Sequence, residues 1–164
     1  MTRASFHVRR ATTADADDFA AQRCALARES HALAPGPAAD AYAAATRRAF
    51  VAAVERGSCL VWLAVTGTGE IAGSSALYLV ERLPSPPNPS PVEGYLAHMF
   101  VSPAWRRAGV GSALVRAAED EARARALGRI RLHATASGRA LYERFGFTPR
   151  VDGMELHLGP VQRT

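Results

Sequence analysis

The stretch that decides the fold is residues 101–115, which read Val-Ser-Pro-Ala-Trp-Arg-Arg-Ala-Gly-Val-Gly-Ser-Ala-Leu-Val. An apolar run that predicts a strand stops at Ser102-Pro103, two arginines follow, and an alanine-rich amphipathic segment starts at Gly109 and Gly111. Because glycines lack side chains, an anion can reach the N–H groups that the first turn of a helix leaves unbonded. The helix dipole adds about 0.3–1 kcal/mol per favourable charge. The stretch therefore predicts a polyphosphate site.

Two common phosphate-binding motifs do not fit this stretch. A P-loop requires Gly-x-x-x-x-Gly-Lys-Ser/Thr, and the chain contains no lysine. A dinucleotide-binding turn requires Gly-x-Gly-x-x-Gly, but Leu114 stands at the third glycine position. A glycine pair that only permits a tight turn remains the alternative, so the surrounding motifs decide between a ligand site and a turn.

A family resemblance favours the ligand site. The pattern Arg106-x-x-Gly109-x-Gly111 resembles the Gln/Arg-x-x-Gly-x-Gly/Ala motif of the GCN5-related N-acetyltransferase (GNAT) superfamily. Residues 130–147 resemble its second signature, a strand followed by a short helix that holds a tyrosine and ends at Gly-Phe. Those residues read Ile-Arg-Leu-His-Ala-Thr-Ala-Ser-Gly-Arg-Ala-Leu-Tyr-Glu-Arg-Phe-Gly-Phe. The two signatures, joined by a predicted helix, identify the chain as a member of this superfamily.

The order of predicted elements also resembles the superfamily. The resemblance implies an α/β (α+β) fold: a mixed central sheet of six to seven strands flanked by about four helices, in the order β-α-α-β-β-β-α-β-α-β. With 164 residues, the chain is predicted to form a single domain over residues 1–164. The predicted segments are a strand at Val8, helices at about 14–30 and 40–56, strands at 59–65, 71–80 and 93–101, a helix at 109–127, a strand at 129–134, a helix at 137–145, and closing strands near 147–150 and 154–158.

The charge pattern argues against nucleic acid as a partner. The net charge is +5 and the pI is near 10, but all 20 basic residues are arginine and form no basic run. Such an arginine-only, alanine-rich composition is typical of a GC-rich genome, and we expect a bacterial protein. No apolar run approaches the ~18–20 residues that span a bilayer, and the N-terminus lacks a signal-peptide core. Neither a nucleic-acid nor a membrane partner is expected.

Cysteine and histidine give no sign of a metal site. The lone thiols Cys24 and Cys59 are predicted to be inert in a reducing cytoplasm. The five histidines are scattered without ligand spacing. We expect a cytoplasmic protein without a metal, and a homodimer remains one option for its assembly.

The resemblance implies acetyl-CoA or another acyl-CoA as the donor. Its pyrophosphate would contact the N–H groups of residues 107–112, with charge added by Arg106 and Arg107. Its pantetheine arm would lie along the central strand, where the N–H of Met99 would polarise the thioester carbonyl, an effect worth several kcal/mol per donor. The strand residues are also expected to pack as core. The residues expected at the cofactor are Met99, Phe100, Val101, Arg106, Arg107, Ala108, Gly109, Val110, Gly111, Ser112, Ser137 and Tyr142.

Tyr142 is the first candidate for a catalytic side chain. It matches the superfamily tyrosine that donates a proton to the departing thiolate, which gains from a nearby phenol because a thiol pKa of about 8.5 lies below a phenol pKa of about 10. The alternative is a tyrosine that only packs on the cofactor arm. Ser137 and Arg139 start the same short helix, where capping is favoured over a cofactor contact.

The general base is not fixed by a motif. Some superfamily members carry a glutamate on the central strand, eleven residues before the Gln/Arg position, and that register holds Tyr95 here. Glu93 lies two residues earlier on the same predicted face, and His98 lies nearby on the opposite face. Both are candidate bases as well as candidate structural residues. Without a cysteine beside the motifs, we expect direct attack by the amine in a ternary complex.

The acceptor is expected to bind to the first two helices, the proline-rich loop at 83–91 and the last strands, none of which carries a readable motif. The leading hypothesis is an N-acetyltransferase that acts on a small amine. The second is a protein acetyltransferase for N-terminal or lysine amines. The third is an acyl-CoA-binding regulatory domain without chemistry, which the missing glutamate favours and Tyr142 opposes.

Overall fold

The computed structural model describes residues 5–150, and the chain divides into two compact units, residues 1–133 and 134–164. The described part of the first unit holds five strands and three helices, and that of the second holds one short helix. In chain order these are β1 (Phe6–Arg10), α1 (Ala16–Glu29), α2 (Pro37–Glu55), β2 (Cys59–Thr66), β3 (Ile71–Glu81), β4 (Val92–Val101), α3 (Val110–Ala124), β5 (Ile130–Arg131) and α4 (Arg139–Arg144).

The strands form one mixed sheet in the order β1-β2-β3-β4-β5. All neighbours are antiparallel except β4 and β5, which are parallel and pair only at Gly94–Ile130 and Tyr95–Arg131. The predicted mixed sheet and element order are confirmed, with five strands rather than six to seven among residues 5–150. Residues 147–150 form no strand, and Pro149 cannot donate a ladder hydrogen bond. The predicted strand at 154–158 lies outside the described residues.

The face of the sheet toward α1 and α2 carries an apolar core. Phe19 of α1 stacks on Phe50 of α2 with ring centroids 4.9 Å apart, and both pack with Val61, Leu63 and Ala76 of the sheet. In an antiparallel pair, directly opposed residues place their side chains on the same face. Since Ala76 opposes Ala97 and Tyr78 opposes Tyr95, these four side chains share the face toward α1 and α2.

Helix α3 follows the predicted four-residue period. Val110, Leu114, Ala118 and Ala122 are buried, whereas Ala126 is exposed beyond the helix end in a left-handed conformation (φ +53°). The predicted surface pairs also form, with Arg123–Glu119 at 2.7 Å and Arg125–Glu121 at 2.6 Å. Helix α3 therefore buries one apolar stripe and starts directly after the glycine-rich loop.

Candidate active site

The loop before α3 presents a row of unbonded N–H groups. Arg107 (φ +60°) and Gly109 (φ +92°) both adopt left-handed conformations, which turn the chain sharply into the helix. Within residues 5–150 no acceptor is bonded to the N–H groups of Arg107, Gly109, Val110, Gly111 and Ser112. Consecutive free N–H groups at a helix N-terminus form a concave anion site. This loop therefore has the donors that a pyrophosphate needs.

The two arginines of the loop have different surroundings. Arg106 donates from Nη2 to both carboxylate oxygens of Glu29 at 2.7 and 2.6 Å, and from Nε to the Val101 carbonyl at 3.1 Å. These contacts tie the loop to the end of α1 and neutralise the charge expected at the phosphates. Arg107 is exposed, and no carboxylate of the described residues pairs with it. Arg107 is thus the better placed cation for an anionic ligand.

The predicted N–H donor row also has a break. The Ala108 N–H donates to the Trp105 carbonyl at 3.4 Å, so the sequence-based range of 107–112 contains one amide that is already used. The 3-10 turn at Pro103–Trp105, which leads into this contact, sets the path of the loop.

On the side of β4 away from β3, no strand within residues 5–150 pairs with the residues that follow Tyr95. The Ser102 N–H donates to the Ala72 carbonyl of β3 at 2.9 Å, so by strand alternation the polar groups of Val101 point away from β3. The bond from Arg106 to the Val101 carbonyl agrees with this direction. Met99, whose N–H is expected at the thioester carbonyl, lies two residues earlier on this stretch of β4 that has no strand neighbour among residues 5–150.

A β-bulge interrupts β4 beside this N–H group. Ser74 opposes Phe100 and Ala76 opposes Ala97, so Ser75 alone faces both His98 and Met99. His98 adopts a φ of +56°, which is uncommon for a residue with a side chain. Bulges of this kind re-aim side chains next to active sites.

The bulge overturns the predicted orientation of His98. Its ring meets Phe19 of α1 edge-on at 6.5 Å and Tyr78 at 5.7 Å, so it lies on the face shared by Tyr95 and Glu93. The expectation of the opposite face was wrong because strict alternation assumes a strand without an extra residue.

Six polar side chains of the first unit lie on or against this face, and we call them the polar cluster: Arg23, Tyr42, Tyr78, Tyr95, His98 and His133. They form three hydrogen-bonded pairs. Tyr78 Oη lies 2.9 Å from His98 Nε2, Tyr95 Oη lies 2.6 Å from His133 Nδ1, and Arg23 donates to Tyr42 Oη at 2.6 Å. Burial and the charge of Arg23 lower the pKa of His98 to about 4, so its imidazole is neutral at neutral pH.

Sequence reasoning missed five members of this cluster. Tyr95 stood out only as the residue at the family glutamate register, and its partner His133 follows β5, far along the chain. No local pattern marked Arg23, Tyr42 or Tyr78, since the contacts that join them cross three elements of the fold.

Glu93 lies in a cage of three guanidinium groups. Only 2% of the residue is exposed, and its carboxylate contacts Arg82, Arg129 at 2.5 Å and Arg131 at 3.6 Å. Burial alone would raise the pKa of Glu93, but the hydrogen bond from Arg129 and the three positive charges outweigh it and lower the pKa below its ordinary value. This carboxylate is a poor proton acceptor and holds the start of β4 to the loops around it.

Tyr142 lies on α4 in the second unit. Its side chain is buried, and its ring meets Phe147 edge-on at 5.8 Å. Burial raises the pKa of Tyr142 above its ordinary value of 10, so the hydroxyl is protonated at neutral pH. A protonated phenol is the form that can act as a general acid.

The N-cap of α4 is Gly138, without a side-chain cap, and the turn before it is closed by Thr135 rather than by Ser137. The Gly138 N–H donates to Thr135 Oγ1 at 3.2 Å, while Ser137 is exposed and its hydroxyl lies 3.2 Å from that of Thr135. Arg139 pairs with Glu143 at 3.9 Å along the helix. These contacts give both predicted residues a local role within the second unit.

Other site types find no support among residues 5–150. No group of three or more potential ligands is placed to hold a metal, and no helix is long and apolar enough to cross a membrane. A cleft of about 700 Å³ is lined by Leu79 and by residues 89–92 and 125–128, and none of the predicted site residues lines it. The polar cluster and the loop before α3 therefore define the candidate site of the first unit.

Comparison with known proteins agrees with the fold. The acetyltransferase (GNAT) family matches residues 19–147. A GCN5-related N-acetyltransferase from Ralstonia eutropha JMP134 is 27% identical, with 94% of this chain and 100% of that chain covered and a TM-score of 0.80. No curated protein sequence matches the chain.

Two further solved structures share the fold at lower identity. A predicted acetyltransferase with acetyl-CoA from Clostridium acetobutylicum is 21% identical, with 94% and 97% of the two chains covered and a TM-score of 0.83. An aminoglycoside acetyltransferase from an uncultured soil metagenomic sample is 19% identical, with 94% and 99% covered and a TM-score of 0.71.

Proposed function

The chain belongs to the acetyltransferase (GNAT) family, and we propose that it moves the acetyl group of acetyl-CoA to a primary amine of a small molecule by direct attack in a ternary complex. The observation that carries this proposal is the stretch of β4 that lacks a strand neighbour beyond Tyr95 among residues 5–150 and continues through Val101, which Arg106 contacts, into the unbonded N–H groups of the loop before α3. A solved neighbour of the same fold is an aminoglycoside acetyltransferase, which supports a small amine as the acceptor class.

Different groups of the chain bind the different parts of acetyl-CoA. The N–H groups of Gly109, Val110, Gly111 and Ser112 hold the pyrophosphate, with Arg107 adding charge. The Met99 N–H donates to the thioester carbonyl and stabilises the negative charge that develops on its oxygen, a contribution of about 3–4 kcal/mol for one donor. Met99, Phe100 and Val101 contribute backbone groups here, so their side chains remain free to pack.

We propose that Tyr142 donates a proton to the leaving thiolate. Its buried hydroxyl is protonated at neutral pH, as a general acid must be. The motif around it supports this role.

We propose that His133, oriented by Tyr95, removes the proton from the acceptor amine. An amine with a pKa near 10.4 is almost wholly protonated at pH 7, so a base is needed. The Nε2 of His98 is engaged by Tyr78, whereas the Nε2 of His133 has no partner within residues 5–150 and its ring is exposed to solvent, which can take up the proton. The surroundings of Glu93 oppose the same role for that carboxylate.

The expected result for the base is a loss of about tenfold in kcat for His133→Gln, with the affinity for acetyl-CoA unchanged. The loss stays below the usual contribution of a general base, about 10²–10⁴-fold, because water can accept the proton at an exposed position. His98→Gln serves as the matched control, and its kcat should change less. A pH–rate profile of both variants completes the test. If His133 is the base, the fall in rate at acidic pH that its protonation causes should be absent from His133→Gln. A larger fall in kcat for His98→Gln than for His133→Gln would move the role to His98.

The proposed function is tested by thiol release from acetyl-CoA with a library of primary amines. We expect turnover with at least one small amine and none with lysine-containing peptides at equal amine concentration. Turnover of the peptides alone would support a protein acetyltransferase. Tight acetyl-CoA binding measured by calorimetry, without release with any acceptor, would support a regulatory binding domain.

A further inference from the structure

Arg23 is a half-buried cation without an anionic partner. Its guanidinium donates to Tyr42 Oη at 2.6 Å, and no carboxylate within residues 5–150 lies at ion-pair distance from it. A guanidinium has five N–H donors, and a phenol oxygen does not balance its charge. Since a charge taken partly out of water is normally paired, this arginine has unused capacity to bind an anion.

Arg23 also lies beside the reactive part of the proposed site. It follows Phe19 by four residues on α1, so the two side chains project from the same face of the helix. Phe19 touches the ring of His98 on the bulge of β4, and His98 precedes Met99, the proposed donor to the thioester carbonyl. The charge of Arg23 is close enough to lower the pKa of His98.

We propose that Arg23, with Tyr42 beside it, binds an anionic oxygen group of the acceptor, so that the preferred substrate is a primary amine that also carries a carboxylate or a phosphate. This inference rests on the proposed function for its setting. Arginine matches both groups because its planar fork donates two parallel hydrogen bonds to either. When the anion replaces Tyr42 Oη as the acceptor of the guanidinium, the Tyr42 hydroxyl can itself donate a hydrogen bond to the anion. An amine without a carboxylate or phosphate lacks the group that would balance the charge of Arg23. The ammonium form of such an amine is repelled by the guanidinium.

The test compares matched acceptors that differ only in the anionic group. Each α-amino acid is paired with its carboxamide, and each aminoalkyl phosphate with its amino alcohol, and thiol release gives KM and kcat for the wild type and for Arg23→Gln. We expect the anionic member to be preferred by at least tenfold, through KM, and Arg23→Gln to remove that preference by raising KM for the anionic member far more than for the neutral one. The phosphate and carboxylate arms show which anion is used. Arg28→Gln, on the exposed end of the same helix, should behave as the wild type.

Equal KM values for the two members of every pair would overturn the inference and leave the proposed function standing. If no amine is acetylated, the proposed function fails, and the subsite is tested by binding instead. The protein saturated with coenzyme A is titrated by calorimetry with N-acetyl amino acids and with their amides. Tighter binding of the carboxylates that Arg23→Gln abolishes upholds the subsite, and equal binding overturns it. Thermal unfolding of the variant confirms that it is folded in both experiments.

Discussion

Replacing Gly109 with alanine should lower the affinity for acetyl-CoA by about thirtyfold or more, equivalent to about 2 kcal/mol. Gly109 has a φ of +92°, and a methyl group added there meets no atom within 4 Å and so enters the open space in front of the loop. That space is where the pyrophosphate must approach the N–H groups. Charge-assisted hydrogen bonds of this type contribute about 1.5–3 kcal/mol each, so displacing the ligand from one or two of them accounts for the loss. Calorimetry on the folded variant measures it.

The control for this variant is Gly57→Ala. Gly57 also has a positive φ (+67°), and an added methyl group there is equally free of contacts, but it lies between α2 and β2. Both substitutions force alanine into a left-handed conformation at a cost of about 1 kcal/mol in folding stability. Only Gly109→Ala should weaken acetyl-CoA binding. Equal affinities for the two variants would show that the phosphates bind elsewhere.

Much of the fold was predictable because its signals are local. The four-residue period of α3, the alternation of the strands and the turn residues between them depend on neighbours within one element, and each was placed within a few residues. Helix α2 begins at Pro37 rather than at Asp40, because proline is favoured at the first helical position, where its missing N–H is not needed.

The parts of the site that escaped prediction depend on contacts between distant segments. The bulge that turns His98 toward α1 requires knowledge of the register between β3 and β4. The pairing of Arg106 with Glu29 joins residues 77 positions apart, and it removes a charge that the motif alone would assign to the phosphates. The cage around Glu93 likewise draws its arginines from segments on both sides of β4. A motif gives the residue types at a site, but the contacts of each residue determine whether its charge is available to a ligand.

The second large effect is expected for Tyr142→Phe, which should lower kcat by about 10²-fold if the hydroxyl protonates the leaving thiolate. The substitution removes one oxygen and keeps the ring, so the edge-on contact with Phe147 remains and the affinity for acetyl-CoA should be unchanged. Because burial raises the pKa of Tyr142 above 10, the acid stays protonated through neutral pH, and the wild type should lose activity from its ionisation only at higher pH. The measurement is kcat with the best amine at saturating acetyl-CoA.

Two comparisons separate acid catalysis from packing. Phe147→Leu alters the ring that contacts Tyr142 but keeps the hydroxyl, so its kcat should stay within a few-fold of the wild type. A fall in Tyr142→Phe confined to KM would instead indicate a binding role. Since slow product release can hide a change in chemistry, the acetyl-transfer step is also followed before the steady state. If that step is as fast in Tyr142→Phe as in the wild type, the thiolate takes its proton from another donor, and Tyr142 serves only to pack α4 against its neighbours in the second unit.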